Sequence, residues 1–221
     1  MENALIIGDS GGIGGAVAAH LRAEGVAVTG LSRSRDGLDV TDETAVARIM
    51  NRLNGPFDLV FVATGALEID EAAPEKTLKS LTVKALEDQY RLNAIGPMMV
   101  LKQAVRLLPR DRPAVFAVLS ARVGSIGDNR LGGWYSYRAA KAGVNQLIHG
   151  AAIELARTHR QLACVSLHPG TVETAFTAKY ADRHPTVSPQ QAAARLVRVM
   201  HGLGAGDTGK FLDYDGQEIP W

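Results

Sequence analysis

The run Ala4–Ile7 is apolar without a break, and Gly8-Asp-Ser-Gly-Gly-Ile-Gly-Gly15 follows it at once. Ile13, Val17 and Leu21 then recur at helical spacing until Gly25. An unbroken apolar run suits a strand buried on both faces. A glycine-rich turn from such a strand into a helix is the start of a strand–helix–strand unit. The alternation repeats down the chain. Strands are expected at Val26–Leu31, Phe57–Val62, Pro113–Leu119, Leu162–Leu167 and Phe211–Tyr214. Helices are expected at Glu43–Leu53, Val83–Leu108, Trp134 to about Thr158, and from Ser188-Pro189, where serine caps and proline fills the first turn. Leu67–Leu81 reads as a looser polar segment. Such alternation predicts an α/β fold, a parallel sheet with helices on both faces.

The 221 residues suit one domain, and 46% hydrophobic content excludes a disordered chain. A net charge of +1 leaves no electrostatic footprint for nucleic acid or an anionic membrane. No apolar run reaches bilayer length, and no basic leader precedes the first strand, so the expected location is the cytoplasm. The single cysteine, Cys164, lies in an apolar run and is expected to be a small core residue in a reducing compartment. No cluster suggests a metal site.

Three glycine motifs compete. Gly204-Ala-Gly-Asp-Thr-Gly209 follows a helix and precedes a strand, the wrong context for a phosphate cradle. Gly8-Asp9-Ser10-Gly11-Gly12 matches a nucleophile elbow, with Ser10 as nucleophile and His168 as base, the signature of a serine hydrolase. An elbow after the first strand, however, has no earlier loop to supply oxyanion donors. Gly8, Gly12 and Gly14 together form the third motif. Gly8 allows the turn, Gly12 lets backbone approach a pyrophosphate, and Gly14 lets the helix close on the sheet. After the second strand, Ser32-Arg33, with Arg35 nearby, stands where an acid would favour NAD. Serine and arginine suit a 2′-phosphate, hence NADP; the bland alternative is a solvated basic loop.

Tyr137, Lys141, Val144, Ile148, Ala151 and Leu155 share one helical stripe. A lysine on an apolar face is either a snorkelling side chain or a member of a chemical pair with the tyrosine one turn before it. Tyr135 is turned off the stripe. Pro97, four residues after Asn93 and next to Gly96, should kink the long helix and free the Asn93 carbonyl.

Taken in order, Gly8/Gly12/Gly14, Ala63-Thr64-Gly65, Asn93, Tyr137-x-x-x-Lys141 and Pro169-Gly170-Thr-Val172-Glu-Thr174 resemble the short-chain dehydrogenase/reductase family. The ending Phe211–Trp221 and the stretch Gly132–Tyr137 resemble its C-factor and carbonyl-reductase branch. The resemblance implies a doubly wound Rossmann-type sheet of about seven strands and a nicotinamide cofactor, NADP or NAD. It also implies a homodimer or homotetramer acting on a small carbonyl or alcohol. Tyr137 would be the general acid/base. Lys141 would lower its pKa and hold the nicotinamide ribose, and the Asn93 carbonyl would hold a relay water. Ser10 and Ile13 would join the glycines at the pyrophosphate, and Asp39-Val40 would meet the adenine, although Asp39 suits a turn equally well. Ala63, Thr64 and Gly65 would border the adenine ribose. Pro169, Gly170, Val172 and Thr174 would face the nicotinamide. The family's usual substrate-polarising serine is Ala121 here, so Ser120 or Ser125 must substitute, Ser120 being preferred. Ala121 also keeps open a cofactor-binding module without turnover. Phe176, Tyr180 and His184 are candidate lining of the substrate pocket.

Overall fold

The computed structural model describes residues 1–70, 72–174 and 186–221; Phe176, Tyr180 and His184 lie outside the described residues. Six strands, β1 (Asn3–Ile7), β2 (Ala27–Leu31), β3 (Leu59–Val62), β4 (Ala114–Leu119), β5 (Leu162–Leu167) and β6 (Phe211–Leu212), form one sheet. Their order is β2-β1-β3-β4-β5-β6, and every pairing is parallel.

The helices are α1 (Gly12–Ala23), α2 (Arg33–Asp36), α3 (Glu43–Met50), α4 (Val83–Tyr90), α5 (Gly96–Ala104), α6 (Tyr135–Leu155) and α7 (Pro189–Gly202). They cover both faces of the sheet. On one face Val46, Met50, Val100, Ala104, Val144 and Ile148 meet Leu5, Val60, Phe116 and Cys164. On the other, Val17 and Leu21 of α1 and Leu196 and Met200 of α7 meet Ile6, Phe61, Ala117 and Val165. Each of these large side chains, removed from water, contributes about 1.5–3 kcal/mol. β3, β4 and β5 are buried along their whole length, which is why they read as unbroken apolar runs. No helix among the described residues is long and apolar enough to cross a membrane.

The expected seventh strand is absent among the described residues. Gly37–Val40, the stretch after β2, forms no strand. Asp39 turns its carboxylate onto the amide (2.8 Å) and hydroxyl (2.7 Å) of Thr41 instead, and the chain enters α3, capped by Asp42. The sheet therefore ends at β2. The six strands read directly from hydrophobic runs are the six observed.

The second correction concerns the expected long helix over Val83–Leu108. It is divided into α4, a π turn over Arg91–Ile95, α5, and a short 3-10 turn over Val105–Leu107. Pro97 cannot donate to the Asn93 carbonyl, and the chain accommodates this with wider turns, not a simple kink.

Candidate active site

After β2, the outermost strand, the chain crosses back over β1 to form β3 on its other side. That reversal opens a crevice at the carboxyl ends of the strands, the usual ligand position in an open α/β sheet. A cavity of about 840 Å³ lies there. Its walls are the segments that follow β1 (Gly11, Gly12, Ile13), β3 (Ala63, Thr64, Gly65), β4 (Ser120, Ala121) and β5 (His168, Pro169, Gly170), with Tyr137 and Lys141 from α6.

The first turn is built as its glycines suggest. Gly8 has φ +92°, and its amide donates to the Leu31 carbonyl at 2.7 Å. A Cβ on Gly14 would stand 2.3 Å from the Gly8 carbonyl oxygen, so only glycine lets α1 sit this close to the strand end. Gly12 differs from expectation. Its missing Cβ makes room for the Thr174 methyl, 2.7 Å from where that carbon would be. The loop is thus held against the Pro169–Thr174 segment. Ser10 is solvent-exposed, and among the described residues no hydrogen bond joins it to His168. The serine-hydrolase couple is not assembled.

After β2, Ser32 caps α2. Its hydroxyl accepts from the Arg35 amide at 3.3 Å, and its own amide donates to Asp36 at 2.7 Å. Arg33 is exposed. Arg35 lies across the glycine turn, donating to the Asp9 carboxylate (3.0 and 3.1 Å) and to the Gly30 carbonyl (2.6 Å). Gly30 is small because the Asp9 carboxylate fills its side-chain position. Asp9 carries no motif signal, and its role appears only when β1 and β2 are placed side by side. Val40 is buried against Gly96 rather than open to the crevice, and neither it nor Asp39 lines the cavity.

Tyr137 and Lys141 are buried side by side, 4% and 3% exposed. The Lys141 ammonium donates to the Leu119 carbonyl at 3.0 Å and stands 5.7 Å from the Tyr137 ring centre. Burial brings the amine down to about 7 from its ordinary 10.5. Burial also pushes the Tyr137 phenol above its ordinary 10. That differs from the expectation of a tyrosine acidified by lysine, because burial drives both groups toward their neutral forms.

Asn93 is fully buried within the π turn. Its side-chain amide donates to the Ala66 carbonyl (2.9 Å) and to Gln89 (2.6 Å), while its oxygen accepts from the Ala66 amide (3.2 Å). Asn93 thereby clamps the turn after β3. A Cβ on Gly65 would be 2.5 Å from the Asn93 oxygen and 3.5 Å from Lys141 Nζ, which brings the asparagine, glycine and lysine into one cluster. Gln89, buried and bonded to the Leu67 carbonyl at 2.9 Å, is a support that sequence reasoning missed.

The two serine candidates separate. Ser125 donates to the Pro220 carbonyl and accepts from the Asp128 amide, fastening the C-terminal segment, and it does not line the cavity. Ser120 does line it, 4% exposed, with a buried hydroxyl that has no protein partner. Thr64 Oγ1 and His168 Nδ1 are likewise buried without partners at the cavity wall. His168 is held to about 4 by burial and the nearby Arg122 charge, Asp213 opposing, and is therefore neutral at physiological pH. Orphaned buried polar atoms lining a crevice are what a polar ligand would satisfy.

The start of α6 carries a second missed residue. Gly132, Gly133 and Trp134 all have positive φ, and Trp134 supplies no side-chain cap. Glu75 does so from a distance. Its carbonyl accepts from the Trp134 amide at 2.6 Å and its carboxylate from the Ser136 amide at 3.2 Å.

Residues 37–185 match the family model for short chain dehydrogenases, a span that includes Asn93, Tyr137 and Lys141. The chain belongs to the short-chain dehydrogenase family. It is 30% identical over its whole length to the whole of a 1-hydroxy-2-glutathionyl-2-methyl-3-butene dehydrogenase from Rhodococcus sp. (strain AD45). It is 31% identical, over 60% of its length and 76% of the relative's, to the C-signal protein of Myxococcus xanthus. All of it superposes on 94% of the NADPH-bound carbonyl reductase from chicken fatty liver, with a TM-score of 0.83 at 21% identity. The glycine turn at Gly8–Gly14 lies before the matched span, so its assignment rests on the geometry described above.

Proposed function

We propose that this chain is an NADP-preferring carbonyl reductase or alcohol dehydrogenase, working as one dinucleotide-binding and catalytic domain. The observation that carries the reading is the burial of Tyr137 against Lys141 at the floor of a crevice whose wall holds the unpartnered hydroxyl of Ser120. The Rhodococcus relative is named for a hydroxyl compound and the chicken enzyme for a carbonyl, which fits either direction of one reaction.

The residues present fit a dinucleotide. Gly8, Ser10, Gly12, Ile13 and Gly14 would hold the pyrophosphate at the start of α1, where free amides and the helix dipole favour anions. Ala63, Thr64 and Gly65 would border the adenine ribose, Lys141 the nicotinamide ribose, and Pro169, Gly170, Val172 and Thr174 the carboxamide. Arg33 would meet a 2′-phosphate. Asp9, after β1, and Asp36, in α2, are each paired with Arg35, so neither carboxylate is free for the ribose hydroxyls of NAD. When bound, the nicotinamide supplies or takes up the hydride. In reduction, Tyr137 passes its proton to the carbonyl oxygen while Ser120 donates a hydrogen bond to that oxygen. Lys141, brought to about 7 by burial, returns a proton from its ammonium form to the tyrosinate and is left as the neutral amine.

Loss of NADPH absorbance on mixing with a panel of ketones and aldehydes tests the reading. Tyr137→Phe should lower kcat by about 10²–10⁴-fold. A variant as active as the parent overturns the mechanism. Ala121 supports a second reading, a cofactor-binding module without turnover. It requires tight NADPH binding with no carbonyl consumed, even by Ala121→Ser.

A further inference from the structure

Among the described residues lining the cavity, Lys76, Arg122, Arg138 and Lys141 are charged, and none is acidic. Two of the four are accounted for. Lys141 is buried beside Tyr137, and Arg122 is paired with Asp128 at 2.8 Å. Arg138 and Lys76 are not. Arg138, the residue after Tyr137, is half-buried, and among the described residues it donates only to neutral backbone carbonyls, those of Gly133 (3.0 Å) and Val123 (3.3 Å). Burial without a counter-charge holds its pKa below the usual guanidinium range. Lys76 is exposed and forms no ion pair among the described residues.

The two residues are joined through Gly133. Gly133 accepts from Arg138, and a Cβ built on it would lie within 4.0 Å of the Lys76 backbone. Glu75 is the nearest acid along the chain, but its carboxylate points to the Ser136 amide and pairs with neither cation. Leu67, Val123, Leu131 and Trp134 also line the cavity and give it apolar surface. Unbalanced cations in a cavity with apolar surface fit an organic anion. A desolvated guanidinium with only carbonyl partners gains most from a carboxylate, which forms shorter and stronger charge-assisted bonds.

We propose that the substrate carries a carboxylate as well as its carbonyl or hydroxyl group, the carboxylate being held by Arg138 and Lys76 while the reacting carbon faces Tyr137. The proposal rests on the oxidoreductase reading above and names the substrate class for that site.

The test is a matched pair, benzoylpropionate and its methyl ester, which differ in one charge. With NADPH, the acid should have a kcat/KM at least about tenfold above that of the ester. That advantage should shrink at high salt. The acid-to-ester ratio should fall toward one in Lys76→Gln and in Arg138→Gln. Both substrates see the same folded fraction, so a loosened 123–133 loop in Arg138→Gln cancels from the ratio. An ester at least as good as the acid, or a ratio unchanged in both variants, overturns the proposal. A second arm measures binding of the same pair to NADPH-loaded protein by calorimetry. If neither compound is reduced but the acid binds at least tenfold tighter, the catalytic reading fails and the anion site stands. Equal binding removes the anion site whatever the turnover.

Discussion

Replacing Lys141 by methionine should make the protein more stable and inactive, with a stability gain that depends on pH in a defined way. The amine is 3% exposed and sits at about 7 instead of 10.5, so holding it in the folded state costs about 5 kcal/mol at any pH below 7, where folded and unfolded chains both carry the proton. Above pH 7 the folded chain releases that proton while the unfolded chain keeps it, so the cost falls steadily and is gone above 10.5. Methionine fills nearly the same volume without a charge. It also leaves the Leu119 carbonyl without its donor, a loss of about 2 kcal/mol that does not vary with pH. Below pH 7 the variant should therefore gain about 3 kcal/mol, or roughly 6–12 °C in Tm for a chain of this size. Near pH 9 the two effects cancel, and above it the parent should be the more stable. Thermal unfolding of cofactor-free parent and variant from pH 6 to pH 10 reads this directly. A variant less stable at pH 6, or a difference flat across the range, refutes the reasoning that burial governs this lysine. NADPH turnover by the variant should be lost at every pH.

The two glycine motifs should respond oppositely to one methyl group. Gly14→Ala drives a carbon to 2.3 Å from the Gly8 carbonyl and should abolish NADPH binding by calorimetry, whereas Gly206→Ala meets nothing within 4 Å and should bind as the parent does. Glu75→Ala removes the remote cap of α6 and should cost about 1–2 kcal/mol in urea unfolding, most of it restored by Glu75→Gln, whose amide oxygen still accepts from Ser136. Asp9→Asn takes the carboxylate from Arg35 and should raise the NADPH-over-NADH ratio of kcat/KM severalfold, about tenfold at most; an unchanged ratio would mean Arg35 stays turned from the cofactor.

Much of this architecture is local in origin and so was open to sequence reasoning. Leu59–Val62, Ala114–Leu119 and Leu162–Leu167 are buried on both faces and announce themselves as apolar runs. Tyr137 and Lys141 are one helical turn apart, so their meeting needs only α6 to form. The extra strand came from analogy and not from any hydrophobic run. What stayed hidden depends on pairs far apart in the chain. Glu75 meets Ser136 across 61 residues, Ser125 meets Pro220 across 95, and Asp9 meets Arg35 across 26. No periodicity reports such contacts. Asn93 lies between these cases. Pro97 signals a local disturbance, but whether the helix bends or widens depends on Ala66 and on Val40 pressed against Gly96, both distant in sequence. The acidity of Tyr137 is hidden for a related reason: spacing places Lys141 beside it but does not report the depth of burial that raises the phenol.

The π turn at Arg91–Ile95 has a consequence for the length of the chain. A π turn is an α-helix carrying one surplus residue, and each residue of an α-helix advances the face by about 100°. Removing any one residue there would take away the surplus that the wider turn absorbs. Val100 and Ala104 could stay on the sheet, but everything before the deletion would rotate by that angle, taking Gln89 away from the Leu67 carbonyl and Asn93 away from Ala66. An altered side chain at the exposed Ile95 should be tolerated far better than a missing one. Here the count of residues, more than their identity, holds the asparagine beneath the lysine.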